Sequence, residues 1–316
     1  MEDQARVVFM GTPEFAVESL KKMIDEGFNV VGVITAPDKP AGRGKKIKKS
    51  AVKEFAEKKG IKILQPTNLK SEEFLKDLKN LNPDVQVVVA FRMLPKQVWQ
   101  MPSKGTFNLH ASLLPDYRGA APINWAIMQG ETKTGVTTFF IDEKIDTGEI
   151  ILQKEVPIEK NENASSLHDK LKEVGAELII DTLNLITSGK VETFPQPQVE
   201  NPKKAPKLNK ENTRIDWTGK GKQIFDFIRG LSMYPGAWTE LLVEGEKKKF
   251  IIYKAHFRPE DHRENTAQIS TTKKQMRIAV KDGYIIPELV KLQGKKTMDI
   301  VSFLNGIKNK DQLAIV

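Results

Sequence analysis

The sequence predicts an α/β fold in which helices cover both faces of a parallel sheet, followed by a smaller, strand-rich domain. In the first half of the chain, short apolar runs alternate with amphipathic stretches. Near-continuous apolar strands separated by helices are typical of a parallel sheet that is buried on both faces. Near residue 190 this pattern gives way to a segment rich in proline and polar residues, and strand-like runs dominate beyond it.

The apolar runs predict five early strands, at residues 6–10, 30–35, 61–64, 85–91 and 106–110. The amphipathic stretches between them predict helices at residues 14–26, 51–59 and 71–80. A short helix is expected at residues 125–129, with later strands at 136–141 and 150–156. A long helix is then predicted from an N-cap at Ser165 or Ser166 to Thr187, and Gly189 closes it.

Residues 190–207 are predicted to be an extended linker, because they carry prolines and polar residues without apolar periodicity. The linker divides a domain at residues 1–189 from a second domain at residues 208–316. The second domain is predicted to have a helix at 221–231, strands at 238–243, 250–257, 275–280 and 284–290, and a last helix around 298–305. Short strands with few helices fit a small barrel of the OB type, a scaffold often used to hold nucleic acid.

Composition limits the class of protein. A length of 316 residues suggests two domains, and the absence of cysteine removes disulfides, thiolate metal sites and cysteine nucleophiles. The acidic start has no apolar signal region, and no run approaches the ~18 apolar residues of a membrane span. We therefore expect a soluble intracellular protein. We also expect it to be cytoplasmic and monomeric, without a membrane partner. A net charge of +9 and a pI of about 9.3 favour polyanionic partners such as nucleic acid.

Two short segments carry the residues most suited to chemistry, Asn108 and His110 in one and Asp146 in the other. If residues 106–110 form a strand, Asn108 and His110 lie on the same face and at its carboxyl end. An amide, an imidazole and a carboxylate suit the attack of an amine on a carbonyl-level carbon, since the oxyanion needs donors and the ammonium must lose a proton. Taken singly, each residue also has a purely structural interpretation: His110 as a core histidine, Asn108 as a strand-end cap and Asp146 as a turn former. Asp142 is the competing carboxylate.

A basic loop follows the second predicted strand, and its cations are Lys39, Arg43, Lys45, Lys46, Lys48, Lys49 and Lys53. Flexible cationic segments bind phosphate backbones through counterion release and can become ordered on binding. The loop leaves the carboxyl end of a strand, on the side where Asn108 and His110 open, which favours contact with nucleic acid over a merely solvated loop. Lysines in and beside the linker extend the basic track: Lys203, Lys204, Lys207 and Lys210.

Other binding motifs are missing from the sequence. No G-x-G-x-x-G follows the first strand, no Walker A lysine follows a glycine loop, and the four histidines lack metal-ligand spacing. We therefore expect neither a dinucleotide nor a metal. His168 is expected to be structural or exposed, and the four tryptophans are expected in the core or at interfaces rather than as base-stacking platforms.

The segments at residues 112–119, 121–126, 135–137 and 146–151 together resemble the core of the folate-dependent formyltransferase family. Residues 10–17 and 37–46 are most similar to the members of that family that act on aminoacylated tRNA. The resemblance implies a Rossmann-like formyltransferase domain followed by an OB-like, tRNA-binding C-terminal domain. It implies transfer of formyl from 10-formyltetrahydrofolate, the co-substrate, to the α-amine of methionine on initiator tRNA for translation initiation.

The resemblance also assigns roles to residues. Ser112, Leu113, Leu114 and Pro115 would form part of the folate-binding wall, and Arg43 would contact the acceptor arm of the tRNA. In the expected mechanism no covalent enzyme intermediate forms. Asn108 and His110 donate to the oxyanion, while Asp146 orients His110 and assists proton removal. A nearby carboxylate favours the cationic imidazole in the transition state.

The sequence departs from the family pattern at one segment, and three alternative functions remain open. Residues 90–95 are one residue shorter than the usual family form and lack its glycine, and Arg92 stands where small residues are common. A 10-formyltetrahydrofolate hydrolase would share the fold and machinery but transfer the group to water. A formyltransferase for glycinamide ribonucleotide or a nucleotide sugar is a second alternative. A non-catalytic RNA-binding module with a degenerate transferase fold is the third.

Overall fold

A computed structural model describes residues 4–41 and 46–316 of the chain. These residues group into two compact units that are interleaved in the sequence. The first unit comprises the chain up to residue 119 together with residues 134–156 and 168–203, and the second comprises residues 120–133, 157–167 and 204–316. The interleaving assigns two short internal segments to the second unit. The domain boundaries drawn from the sequence at residues 189 and 208 stay a prediction.

The elements up to the linker include both strands and helices. They are β1 (Arg6–Gly11), α1 (Glu14–Asp25), β2 (Asn29–Ile34), β3 (Lys39–Ala41), β4 (Lys46–Lys48), α2 (Ala51–Lys58), β5 (Ile63–Leu64), α3 (Glu72–Asn80), β6 (Val85–Val89), α4 (Lys96–Trp99), β7 (Thr106–His110), β8 (Arg118–Gly119), α5 (Pro122–Met128), β9 (Lys133–Phe140), β10 (Ile150–Pro157) and α6 (Ala164–Thr187).

The later elements are mainly strands. They are β11 (Lys204–Ala205), α7 (Gly221–Gly230), β12 (Ala237–Val243), β13 (Glu246–Pro259), β14 (Ile269–Thr271), β15 (Met276–Val280), β16 (Gly283–Leu292), β17 (Met298–Asp299), α8 (Ile300–Asn305), a 3₁₀ turn (Lys310–Gln312) and β18 (Ala314–Ile315).

The main sheet of the first unit has the strand order β10-β9-β7-β6-β1-β2-β5. The pairs from β7 through β6, β1 and β2 to β5 are parallel, whereas β9 runs antiparallel to β7. All five residues of β6 are buried, and all except Gln86 are apolar. Four consecutive apolar residues of β1 are buried as well. Burial of both strand faces is the reason that these segments lack a period-2 pattern. The predicted parallel-dominated α/β sheet is confirmed.

The carboxyl edge of this sheet holds the ends of β1, β6 and β7 side by side. The predicted strand at residues 106–110 coincides with β7, in which Phe107 and Leu109 are buried in the core. Alternation along the strand therefore puts Asn108 and His110 together on the other face, at and near the carboxyl end. Because β9 runs antiparallel to β7, its Thr137 lies opposite His110 and its last residue, Phe140, lies opposite Phe107.

Two local expectations need correction. The N-cap of α6 is Asn163, not Ser165 or Ser166, because the Asn163 Oδ1 accepts hydrogen bonds from the amides of both serines at 2.9 and 3.0 Å. The basic loop is not entirely irregular either. Its described parts form a two-stranded antiparallel ladder, β3 with β4, on either side of residues 42–45.

The second unit contains a nearly closed, barrel-like antiparallel sheet with the order β14-β15-β16-β13-β12-β18, and β17 pairs with β16. Its interior is filled by side chains such as Phe250, Ile252, Ile278 and Ile285, which are all fully buried. The predicted small β-barrel domain of OB-like type is confirmed. In the part of the chain that the structure describes, no helix combines the length and apolar character needed to cross a membrane.

Gly148 provides a test of how tightly the loop after β9 is packed. A Cβ on this residue would lie 1.7 Å from the backbone oxygen of Phe140, which is fixed in the β9 strand. We expect Gly148→Ala to lower the free energy of unfolding by about 1–3 kcal/mol, because backbone must move to relieve the overlap. The measurement is the shift in the urea midpoint relative to the native protein.

Gly219→Ala is the matched control, because the nearest atoms to its added Cβ lie at ordinary contact distances of 3.6 Å or more. That variant should change stability by less than about 0.5 kcal/mol. Equal midpoints for both variants would contradict the packing described for Gly148.

Candidate active site

His110 is the last residue of β7, and its side chain is 8% exposed. Its Nε2 lies 2.9 Å from the carbonyl oxygen of Tyr117. A carbonyl oxygen only accepts hydrogen bonds, so Nε2 carries the hydrogen of the neutral ring. Nδ1 is then the nitrogen that remains to accept a proton. The ring is therefore both oriented and restricted to one tautomer by a backbone group, as is usual for a functional histidine.

Asp146 lies opposite Nδ1, in the loop between β9 and β10. Its Oδ2 is 3.9 Å from the His110 Nδ1 and accepts a hydrogen bond of 3.0 Å from the amide of Gly119. The side chain is 17% exposed, so solvent screens the pair only in part. With Nδ1 unprotonated, the contact joins a lone pair to a carboxylate; a proton on Nδ1 turns it into an ion pair.

The competing carboxylate of Asp142 has a different environment. Its Oδ1 accepts hydrogen bonds from the Thr147 hydroxyl at 2.8 Å and from the Lys144 amide at 2.9 Å, and the residue is exposed. These contacts stabilise the turn rather than any catalytic group. The structure therefore brings Asp146, and not Asp142, to His110.

Asn108 is half-buried on β7, two residues before His110 and on the same face of the strand. Among the residues that the structure describes, its side-chain amide has no hydrogen-bond partner. An oriented amide that is free to donate suits the stabilisation of an oxyanion. Asn108, His110 and Asp146 thus come together as predicted from the sequence, while their catalytic roles stay a prediction.

The predicted folate-wall residues form the tight turn after β7, which has a cis peptide bond between Leu114 and Pro115. The Ser112 hydroxyl is fully buried and donates to the Asp116 carbonyl at 2.7 Å, and Leu114 is 3% exposed. Leu113 and Pro115 are half-buried and so retain accessible surface. Of these four residues, Leu113 and Pro115 are the two with accessible side chains. Folate binding by the segment stays a prediction.

Thr137 and Gln153 support this turn, and neither was singled out from the sequence. The Thr137 hydroxyl donates to the Ser112 carbonyl at 2.7 Å and accepts from the Leu114 amide at 3.2 Å. Gln153 donates to the Leu114 carbonyl at 3.0 Å. Their neighbours in sequence are strand-like, so only the geometry reveals that the two polar side chains point at the turn.

The shortened segment at residues 90–95 lies at the carboxyl end of β6. Ala90 takes a left-handed backbone conformation, with φ of 48°, which usually favours glycine. Arg92 donates to the carbonyls of Thr67, at 3.0 Å, and of Pro66. Because β1 and β2 lie between β6 and β5 in the sheet, Arg92 reaches across their carboxyl ends. Arg92 thus connects the loop after β6 to the loop after β5.

A cleft of about 620 Å³ opens beside Asp146. Its polar lining comes from Arg118, Asp142, Thr147 and Glu149, and prolines of the linker form another wall. Asn108 and His110 do not line it. Among the described residues, the strand-end group combines a proton acceptor, a carboxylate and an amide without a hydrogen-bond partner. We therefore take that group, rather than this cleft, as the candidate chemical centre.

The predicted tRNA-binding lysines have unequal environments. Lys39 and Lys48 are exposed and directly opposite each other in the β3–β4 ladder. Like charges in opposite positions destabilise a ladder, so an anionic ligand would be favoured there. Lys49, in contrast, donates to Glu57 at 2.7 Å, and this hydrogen bond raises the pKa of Lys49. Arg43 and Lys45 lie outside the described residues, and the side chain of Lys46 does as well.

Glu14, His168 and Asp169 form the group of potential metal ligands found among the described residues. The ammonium of Lys172 already lies 2.8 Å from Glu14 and 3.6 Å from Asp169. A cation is therefore supplied by the chain itself, and the mostly exposed carboxylates are explained as ion pairs. The donor set gives no support for a metal ion.

The chain is similar to known formyl transferases over nearly its whole length. The formyl transferase family model matches residues 5–183, and the model of the formyl transferase C-terminal domain matches residues 207–308. A relative from Flavobacterium johnsoniae named methionyl-tRNA formyltransferase is 55% identical over 313 residues, which is 99% of each chain. One of the same name from Parabacteroides distasonis is 50% identical over 97% of each chain.

Among solved structures, the fold is similar to that of WlaRD, a sugar 3N-formyl transferase crystallised in the presence of dTDP and 5-N-formyl-THF. The TM-score is 0.66 at 21% identity, and the match covers 93% of this chain and 100% of WlaRD. At that identity the similarity concerns the fold alone. The chain belongs to the formyl transferase family, in the group of the methionyl-tRNA formyltransferases. The resemblance seen in the sequence motifs is confirmed, and the protein is a formyl-transferring enzyme.

Asp146→Asn should separate the two candidate carboxylates. The substitution preserves shape but removes the charge facing Nδ1, so we expect kcat to fall by about 100-fold or more, with folate affinity nearly unchanged. The measurements are single-turnover formyl transfer and folate binding by fluorescence. Asp142→Asn should cost only a few-fold, and a larger loss in that variant than in Asp146→Asn would reverse the assignment.

Proposed function

We propose that this enzyme transfers the formyl group of 10-formyltetrahydrofolate to the α-amine of methionine esterified to initiator tRNA, and so supplies formylmethionyl-tRNA for translation initiation. The observation that carries the chemistry is the convergence of a free amide, an oriented imidazole and a carboxylate at the end of β7. The choice of acceptor is supported by relatives of 50–55% identity that bear this name and by the distribution of unpaired lysines. A soluble, cytoplasmic enzyme that acts as a monomer and without a metal fits this role.

In the proposed mechanism the neutral amine attacks the formyl carbon. A carbon–nitrogen bond forms, the bond from that carbon to the folate nitrogen breaks, and the proton lost by the amine is returned to the folate nitrogen. The Asn108 amide donates to the oxyanion. Because the His110 Nε2 is committed to the Tyr117 carbonyl, Nδ1 is the atom that holds the proton and faces the reacting centre, and Asp146 stabilises that charge.

The folate-derived donor fits the residues at the carboxyl edge. Leu113 and Pro115 offer partly exposed apolar surface immediately after His110. A flat heterocycle needs such a surface together with a few fixed polar groups. We therefore propose that Ser112, Leu113, Leu114 and Pro115 form one wall of the donor site, the two buried residues by shaping the turn and the other two by contact.

The β3–β4 ladder is proposed as the first tRNA contact. Lys39 and Lys48 present two adjacent positive charges, and Lys46 lies on the same ladder next to Arg43 and Lys45 in sequence. Binding a phosphate between Lys39 and Lys48 relieves their repulsion and releases counterions. Lys49 contributes less, because its charge is already compensated by Glu57.

The barrel supplies a second basic surface, which we call the Trp238 pocket. It is a cavity of about 310 Å³ lined by Lys210, Trp238, Glu240, Lys247, Lys249, Ile251, Lys291 and Gln293. Four lysines thus stand against one carboxylate, Glu240, which is paired with Arg214 at 3.4 Å. Among the described residues, the four lysines have no carboxylate partner. The surplus of positive charge suits the RNA backbone.

Trp238 organises these cations rather than stacking on a base. It is 5% exposed, and its indole Nε1 donates to the Lys210 carbonyl at 2.9 Å. The Lys249 Nζ lies 4.7 Å from the ring centroid, and the Lys210 Nζ and the Arg214 guanidinium lie at 5.6 and 5.5 Å. Cation–π contacts of this length hold the aliphatic parts of these lysine and arginine side chains while leaving their charged groups accessible. The pocket is therefore proposed to bind phosphate groups.

The decisive experiment measures formyl transfer from 10-formyltetrahydrofolate by the purified protein with three acceptors at two salt concentrations. The acceptors are methionine-charged initiator tRNA, methionine-charged elongator tRNA and water alone. We expect product only with the initiator tRNA, and weaker tRNA binding at higher salt because phosphate contacts release counterions. Formate release that ignores tRNA would instead support a hydrolase. RNA binding without transfer would support a non-catalytic module.

The Trp238 pocket generates a separate prediction. Replacing both Lys249 and Lys291 with alanine should weaken tRNA binding and reduce the slope of log K against log salt by about 2, since each lysine lost removes about one phosphate contact. The measurement is tRNA affinity by filter binding between roughly 50 and 200 mM salt, because affinity that depends on phosphate contacts falls steeply over that range.

Lys273 and Lys274 provide the matched control. They are exposed, lie in the turn between β14 and β15, do not line the Trp238 pocket, and carry the same total charge. Their double alanine variant should keep the native salt slope. If both double variants changed the slope equally, the effect would be one of net charge, and the pocket would have no special role.

A further inference from the structure

The segment at residues 194–203, predicted to be part of a simple linker, is fixed in place within the first unit. Phe194 pairs with Ile150 of β10 through two backbone hydrogen bonds of 2.9 and 3.1 Å. The chain then passes the loop that contains Asp146. A passive tether would need neither this pairing nor the side-chain contacts that follow it.

Gln196 makes the central contacts of this segment. Its Nε2 donates to the carbonyls of Asp146 and Gly148, both at 2.9 Å. Its Oε1 accepts from the guanidinium of Arg118, with the Nε at 3.1 Å. Both ends of the side-chain amide are therefore used: the nitrogen holds the loop that carries Asp146, and the oxygen holds Arg118 of β8.

The contact at Asp146 matters because that residue has a left-handed backbone, with φ of 55°. This conformation costs a non-glycine residue roughly 1–2 kcal/mol and persists only where the surroundings hold it. Gln196 holds the carbonyl of the strained residue itself, while the Gly119 amide holds its carboxylate at 3.0 Å. The direction of the Asp146 side chain is thus determined by these two anchors.

The same segment also reaches the partner of His110. Lys203 accepts through its carbonyl from the Tyr117 amide at 2.6 Å and donates through its own amide to the Asp116 carboxylate at 2.9 Å. Tyr117 is left-handed too, with φ of 59°, and its carbonyl is the acceptor for the His110 Nε2. One stretch of ten residues therefore supports both the carboxylate and the backbone group that orients the imidazole.

From this geometry we propose that Gln196 is a positioning residue, which keeps the Asp146 carboxylate directed at the Nδ1 of His110. The inference rests on the proposed function, since it concerns the same reaction. The separation of 3.9 Å is longer than a hydrogen bond of 2.7–3.2 Å. The pair is thus close to contact, and a further displacement of about 1 Å of the carboxylate can cost on the order of 100-fold in rate.

The test compares Gln196→Met with Gln198→Met. Methionine is similar in length to glutamine but cannot donate to the carbonyls of Asp146 and Gly148. Gln198 lies two residues further on, is exposed, borders the same cleft and makes no hydrogen bond within the described part of the chain. We expect Gln196→Met to lower kcat by about 10–100-fold with KM for both substrates within about two-fold, as for other residues that orient a catalytic group. Gln198→Met should behave like the native protein.

Gln196→Glu separates the two ends of the amide. Glutamate keeps an acceptor for Arg118 but loses the donor to the Asp146 carbonyl, so it should be impaired like Gln196→Met. Native activity in Gln196→Glu would show that the Arg118 contact alone matters, and it would overturn the proposal. Equal losses in the Gln196 and Gln198 methionine variants would overturn it too.

Amide exchange provides a measurement that does not depend on the reaction. In Gln196→Met, the amide of Gly119 should exchange faster, because its acceptor on Asp146 is no longer held, while Gln198→Met should leave it unchanged. If the native protein transferred no formyl group, the proposed function would fail, and exchange would still decide the role of Gln196. Unchanged exchange at Gly119 in Gln196→Met would show that this side chain does not position Asp146.

Discussion

The hydrogen bond from the His110 Nε2 to the Tyr117 carbonyl is the constraint on which the candidate site depends. It removes one ring nitrogen from chemistry and directs the other toward Asp146. Without it, the imidazole could rotate or change tautomer, and neither Asn108 nor Asp146 would have a defined partner. The rest of the site can be understood as the means of keeping a carbonyl, a carboxylate and an amide around one fixed ring.

That requirement explains where backbone strain occurs. Three non-glycine residues at the carboxyl edge, Ala90, Tyr117 and Asp146, have left-handed conformations. Tyr117 must direct its carbonyl back toward β7, and Asp146 must direct its side chain toward the same histidine from the opposite loop. Tyr117 and Asp146 are retained by hydrogen bonds with Lys203 and Gln196, and the buried strands behind them provide the rigid support. Strain of this kind is expected where geometry serves function rather than stability.

The sequence predicted the parts that depend on local patterns. Apolar strands fixed the parallel sheet, and alternation within residues 106–110 placed Asn108 and His110 on one face, in agreement with β7. It could not reveal Gln196, because proline-rich polar segments look alike whether they are tethers or bind to the fold. Nor could it distinguish Asn163 from Ser165 as the cap of α6, since both residue types cap helices well. The β3–β4 ladder was missed because lysines in opposite positions oppose strand pairing.

The candidate catalytic residues and the lysines proposed to bind the acceptor belong to different elements of the fold. Asn108, His110 and Asp146 depend on the sheet and its edge loops, a fold that the chain shares with a sugar formyl transferase at only 21% identity. A fold of this kind does not determine its acceptor. The lysines proposed to bind tRNA are contributed by the β3–β4 ladder and the surroundings of Trp238, and none of those described contacts His110. The linker is the exception, because residues 194–203 contact the loop of the candidate catalytic Asp146 while their continuation carries Lys204, Lys207 and Lys210. If the proposed roles hold, the sequence of this segment must satisfy the geometry of the Asp146 loop and the charge of the proposed tRNA contact at once.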